Sequence, residues 1–244
     1  MLGLIIKPTI GIGDAIQFTS VPENYFRATG EKLVDVNKYW GFDHNPYVVR
    51  DVPYEKEIDL WNYNPRYMPR NSVYQSLAEK HCGTIGVPVV MKYPRLYKYE
   101  TDTLPEERQM ILLHTSGVSH GEMPQHVIDH VKEKYKDCFL YHIGLPGCKD
   151  IGIPKLATNS LWGLAKIISG CRLFIGMDSG PSWIANCYPD VVVKKLRTKP
   201  TPEHFKDWIP LDVHNIHAQW DDREHHVYNI TEDDIGFTNS YRRI

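Results

Sequence analysis

Short apolar runs alternate with segments of helical spacing, and the alternation occurs twice along the chain. Residues 2–6, 32–36, 110–114, 139–143, 173–175 and 191–193 read as strands too apolar for a sheet with one wet face. Between them the spacing predicts helices. One covers 15–28 and stops at Gly30, and another covers 72–81. A third opens near Pro124 and turns Val127, Ile128, Val131 and Tyr135 to one side. The fourth starts at an Asn159 or Ser160 cap, buries Leu161, Leu164, Ala165 and Ile168, and ends at Gly170. A short helix over 181–187 follows. Strands that alternate with helices build parallel sheets covered on both faces. Residues 92–108, with Pro94, Pro105 and few apolar side chains, read as a linker. The 244 residues, 42% apolar and 24% charged, are sufficient for two globular units. The expected fold is therefore α/β, with two Rossmann-like halves. Residues 39–70, rich in Trp, Tyr, Asn and Pro, show no clean period.

Charge and cysteine usage narrow the class. Lys plus Arg number 28 against 30 Asp plus Glu, a net charge of −2, which lacks the basic excess of a nucleic-acid binder. Cys82, Cys138, Cys148, Cys171 and Cys187 are scattered, with no C-x-x-C pair, and fit neither a disulfide framework nor a thiolate zinc site. Reduced thiols suit a cytoplasmic location. The opening residues 1–7 lack the basic region of a secretory leader, and no run approaches the ~18 apolar residues of a membrane span. A soluble protein without a transmembrane segment is expected.

Two loops follow a strand and open a helix, the place where doubly wound sheets bind ligands. The first, Gly11-Ile-Gly13-Asp14, is not a dinucleotide fingerprint, because Ile16 stands where the third glycine belongs. It is not a P-loop either. Asp14 either caps the helix or presents a carboxylate to a ligand. In the second loop, Asp178-Ser179-Gly180-Pro181, Gly180 permits close backbone approach and Pro181 withholds no needed donor. Ser179 adds a hydroxyl. Helix capping and phosphate binding fit this loop equally when it is taken alone.

Taken together, in order and context, the two loops resemble the bacterial heptosyltransferase family, glycosyltransferase family 9. The opening over 7–19 and the apolar helix over 161–171 are similar to the corresponding segments of that family. The resemblance implies a GT-B fold, with parallel sheets facing across a cleft and the N-terminal half reduced. Residues 1–105 would bind the acceptor and 106–225 the donor, with a tail over 226–244 packed back on the first half. It implies a transferase moving a sugar from an ADP-heptose-like nucleotide-diphosphate donor to a hydroxyl on a glycan, lipid or other acceptor. The transfer would be inverting, without metal or cofactor. Asp14 matches the general base. Asp178, Ser179, Gly180 and Pro181 match the donor-diphosphate loop, and Gly11 and Gly13 shape the first loop. Thr115 and Ser116 stand where the family's second half first meets the phosphates, and Arg197 and Thr198 where a further donor loop occurs.

Some positions depart from the family pattern. Trp183 replaces a histidine, and Ser119-His120-Gly121 replaces a lysine ahead of the helix at Pro124. The departures keep two alternatives open: transfer to modified phage DNA or to protein, and a non-catalytic nucleotide- or sugar-binding module. Other groups read more simply. His126 and His130 lie one helical turn apart without an intervening Glu and read as solvated surface. His214, His217, His225 and His226 fall in a polar stretch and read as loop residues. Trp40, Tyr54, Trp61, Tyr63 and Tyr67 serve either stacking or packing. The basic run Lys194, Lys195, Arg197 and Lys199 serves either phosphate or solvent.

Overall fold

The computed structural model describes residues 1–6, 11–59, 77–91, 93–97, 110–117, 121–144, 148–177, 179–196 and 225–227. The chain divides into two compact units, the first beginning at Met1 and the second at Glu100.

In the first unit, β1 (Leu2–Ile5) leads into α1 (Ile12–Gln17), a 3-10 turn (Phe18–Ser20) and α2 (Val21–Thr29). The expected single helix over 15–28 thus starts earlier and is interrupted. Thr19 and Ser20 return their hydroxyls to the carbonyls of Ile16 and Gln17, three residues back, and Pro22 supplies no amide hydrogen. These features favour a tighter turn before α2 begins. Gly30 ends α2 at φ 75°, donating its amide hydrogen to the Phe26 carbonyl. Strands β2 (Leu33–Asp35), β3 (Val48–Val49) and β4 (Lys56–Asp59) complete a parallel sheet in the order β3-β2-β1-β4, and α3 (Leu77–Thr84) follows. The core gathers Leu4, Ile6, Ala15, Phe18, Val21, Leu33, Phe42 and Ile58.

Polar groups complete this unit. Asn24, fully buried, accepts from the amides of Val90 and Met91 at 2.7 Å each and donates to the carbonyls of Ser20 and Met91. Glu23 accepts from Arg27 and Tyr97, and the Arg95 amide donates to Thr19 Oγ1. Thr19 in the 3-10 turn and Glu23 and Asn24 in α2 therefore hold Val90, Met91, Arg95 and Tyr97 through side chains. Among the aromatics weighed for stacking, Trp40 packs edge-on against Tyr39 and the Tyr54 hydroxyl donates to Glu57. Trp61, Tyr63 and Tyr67 lie outside the described residues.

The second unit has β5 (Ile111–His114), a small antiparallel hairpin of β6 (Ser116–Gly117) and β7 (Gly121–Glu122), then α4 (Gln125–Lys134). It continues with β8 (Leu140–Ile143), β9 (Lys155–Leu156), α5 (Leu161–Ser169), β10 (Leu173–Met177), α6 (Gly180–Ala185), β11 (Val192–Leu196) and β12 (His225–Val227). Six strands form a parallel sheet in the order β12-β11-β10-β5-β8-β9. Pro124 is the cap residue before α4, and Ser160 Oγ accepts from the Gly163 amide at 2.9 Å to cap α5. One face of the sheet packs Ile111, Leu113, Ile175 and Val192 against Val127, Ile128 and Val131 of α4. His225 and His226, expected in a loop, belong to β12, where His225 pairs with Lys194 across the strands. From residue 228 onward the expected tail lies outside the described residues.

Replacing Asn24 with Ala strands the amides of Val90 and Met91 and the carbonyl of Met91. We expect a loss of about 1–3 kcal/mol in urea unfolding, seen as a lower midpoint at constant slope.

Candidate functional site

Strand order places the site in each sheet. In the first, the chain steps outward from β1 to β2 and β3, then returns to the other side of β1 as β4. The carboxyl end of β1 therefore lies at a switch point. Gly11 precedes α1 in extended conformation, with φ −57° and ψ 145°, and both it and Ile12 are exposed. Gly13 is half-buried, and its carbonyl accepts from Gln17 Nε2 at 3.1 Å. Asp14 is the third residue of α1.

In the second sheet, the chain leaves β5 through β8 and β9, then returns to the opposite side of β5 as β10. Parallel pairing of β5 with β10 brings the residues that follow each strand to one edge, and β6 lies against β10 there. Thr115, Ser116 and Ser179 thereby collect at the second switch point. Thr115 Oγ1 is 3.1 Å from His142 Nε2, Ser116 Oγ is 3.4 Å from Cys148 Sγ, and Ser179 Oγ is 3.3 Å from His114 Nδ1. The Ser179 hydroxyl also donates to the Met177 carbonyl at 3.0 Å.

The backbone around Ser179 is closed by Ser182. The Ser179 amide donates to Ser182 Oγ at 3.1 Å, and that hydroxyl donates back to the Ser179 carbonyl at 2.8 Å. The Ser179 amide is thus occupied, leaving its half-buried hydroxyl as the group able to turn toward a ligand. Gly180 is half-buried at the start of α6, and Pro181 is buried as the second residue. Asp178, Arg197 and Thr198 lie outside the described residues, as does His120. Lys194, weighed as part of a solvated basic run, is instead 3% exposed within β11. Burial first, and Lys134 second, push its ammonium down to about 8.

Two histidines of this site escaped the sequence reading. His114 and His142 are each 1% exposed on neighbouring strands. Burial, with His142 nearby, pushes His114 down to about 4. His142 is lowered as well, by burial and by Lys155, against an opposing contribution from Asp150. Both imidazoles are neutral near pH 7. The only sequence signal was a polar residue at the end of an apolar strand.

No protein-family model matches the chain, and no curated protein sequence matches it. Among solved structures, the fold is that of the GT-B glycosyltransferases, as the two parallel-sheet units indicate. The chain is similar to the E. coli heptosyltransferase WaaC with ADP-2-deoxy-2-fluoro heptose at 12% identity, over 97% of this chain and 98% of that one, TM-score 0.59. It is similar to the glycosyl transferase family 9 protein of Veillonella parvula at 14% identity, over 100% of this chain and 89% of that one, TM-score 0.60. It is also similar to the dodecameric glycosyltransferase TibC of enterotoxigenic E. coli at 15% identity, over 99% of this chain and 72% of that one, TM-score 0.59.

TibC is described as iron-containing, which overturns the expectation that a chain of this kind has no metal or cofactor. The physical reason is that metal ligands converge through folding and require no short motif along the chain. Among the described residues no three His, Cys, Asp or Glu side chains are grouped to hold an ion. The described residues do not fit an iron site. Among the described residues, no helix is long and apolar enough to cross a membrane.

His114 makes stability pH-dependent with a definite sign. An unfolded histidine takes up a proton near pH 6.5, whereas the folded His114 does so only near 4. Its contribution is complete above about pH 6.5 and is lost as the pH falls toward 4, at up to about 1.4 kcal/mol per pH unit. His142 acts in the same direction. Urea unfolding measured between pH 7.5 and 4 should show this slope, and a His114→Asn variant should show a shallower one.

Proposed function

We propose that the chain is a glycosyltransferase that moves a sugar from an ADP-heptose-like nucleotide-diphosphate donor to a hydroxyl acceptor, with inversion. The observation that carries this reading is the gathering of Thr115, Ser116 and Ser179 at the β5–β10 switch point of a GT-B sheet. Neutral hydroxyl donors at such an edge suit a diphosphate, whose oxygens only accept hydrogen bonds. The solved structures of similar fold support the donor class, since WaaC is recorded with ADP and TibC with ADP-D-beta-D-heptose.

In this reading residues 106–225 bind the donor and 1–105 the acceptor. Asp14 takes the proton from the acceptor hydroxyl, whose oxygen attacks the anomeric carbon. The bond from that carbon to the diphosphate oxygen breaks, and the electron pair leaves with the nucleoside diphosphate. Ser179, Gly180, Thr115 and Ser116 bind the departing diphosphate. Asp178 stands beside it, Thr198 contacts the donor and Arg197 offsets the charge that develops on the leaving group. The free cysteines suit work in the cytoplasm, with a glycan or lipid hydroxyl as acceptor.

Replacing Asp14 with Asn should leave ADP binding within about threefold and lower transfer from ADP-heptose by about 10²-fold or more. Calorimetry with ADP and a coupled assay for ADP release, run across glycan, lipid, protein and DNA acceptors, check both. Unimpaired turnover in that variant removes the base assignment. Wild-type protein that binds no nucleoside diphosphate removes the transferase reading.

A further inference from the structure

The hydrogen bonds around Ser179 determine which nitrogen of His114 carries its proton. The Met177 carbonyl can only accept, so the single hydroxyl proton of Ser179 goes to it. Oγ therefore accepts from His114, and Nδ1 is the protonated nitrogen. A neutral imidazole has one N–H, which leaves a bare lone pair on Nε2. That atom is buried and has no partner among the described residues. Protonating it would create a donor with no acceptor among the described residues, and burial already opposes the charged form. The ring is therefore held neutral, in the less usual tautomer.

The surrounding strand makes room for this arrangement. Gly176 pairs with His114 in register across β10 and β5. A Cβ at Gly176 would come within 2.6 Å of the Phe174 ring and 3.1 Å of His114 Cβ. The bare position in β10 thus lets the imidazole stand beside the strand end and reach a residue 65 positions away. An orphaned buried nitrogen is a cost that packing alone does not explain, since an apolar side chain would fill the same place without it.

We propose that His114 is a positioning residue for diphosphate binding, acting through the hydroxyl of Ser179. This rests on the transferase reading above. With one lone pair tied to Nδ1–H, Oγ keeps its place while its proton turns from the Met177 carbonyl to a phosphate oxygen. The result is a chain from Nδ1–H to Oγ, and from the Ser179 O–H to the phosphate. Each bond in such a chain polarises the next, so the serine becomes a stronger donor than it is alone.

Calorimetry with ADP as the probe tests this, beginning with wild-type protein, whose failure to bind ADP would remove the transferase reading itself. Given wild-type binding, His114→Asn places an amide N–H near the position of Nδ1 and should hold affinity within about threefold. His114→Gln reaches the Nε2 position instead, and His114→Leu has no donor; both should weaken ADP by about tenfold. In a Ser179→Ala background, His114→Gln should add no further loss. Equal affinity in all three variants, or an equal loss in all three, overturns the proposal. Because His114 is buried, imidazole nitrogen NMR of the wild type supplies a readout that needs no variant. It should show the Nδ1–H tautomer with and without ADP, and an Nε2–H tautomer overturns the assignment.

Discussion

The parallel pairing of β5 with β10 is the constraint on which the site depends. Parallel strands end on the same edge of a sheet, so whatever follows each of them is forced together. His114 closes one strand and Ser179 follows the other, and their contact spans 65 residues of sequence. The pairing is stable because both strands are buried on both faces, with Leu112, Leu113, Phe174 and Met177 fully excluded from water. A slip of one residue would turn His114 to the α4 face and break the contact with Ser179.

Buried polar groups settle the finer geometry in both units. Asp35, at the end of β2, accepts from Arg50 at 2.8 Å and from the Tyr39 amide at 3.0 Å, while Arg50 also reaches Asp43. Burial still raises the Asp35 carboxyl, since two hydrogen bonds and a nearby cation do not fully replace water around a carboxylate. Asn24 satisfies the backbone amides of Val90 and Met91 and the Met91 carbonyl, in a stretch outside any assigned strand. Around Ser179, Ser182 performs the same task on a smaller scale. Each case trades an apolar contact for a defined orientation, and in the second unit that orientation concerns the group read as the diphosphate ligand.

Elements with two independent signals were legible in the sequence. The helix Leu161–Ser169 carries a serine cap that accepts from the Gly163 amide and an apolar stripe that buries Leu164, Ala165 and Ile168, while Gly170 ends it in right-handed conformation at φ −83°. The helix Gln125–Lys134 follows its proline in the same way. Edge strands were not legible. Lys56–Asp59 buries only Ile58, and His225–Val227 is three residues long in a polar stretch. Neither carries a continuous apolar run, so only their neighbours determine them. The 3-10 turn before Val21 was also hidden, because it arises from hydroxyls folding back on carbonyls rather than from spacing.

The candidate site divides along the same line. Sequence alone determined the alternation that requires parallel sheets, and it singled out Thr115, Ser116, Ser179 and Gly180 as loop residues at strand ends. Local chemistry sufficed for that, because turn and cap residues act within a few positions. Only the tertiary structure decided that His114 and His142 stand behind two of those hydroxyls, that Ser182 occupies the Ser179 amide, and that Lys194 is buried. A buried polar residue is defined by partners distant in the chain, and spacing along the sequence contains no record of them.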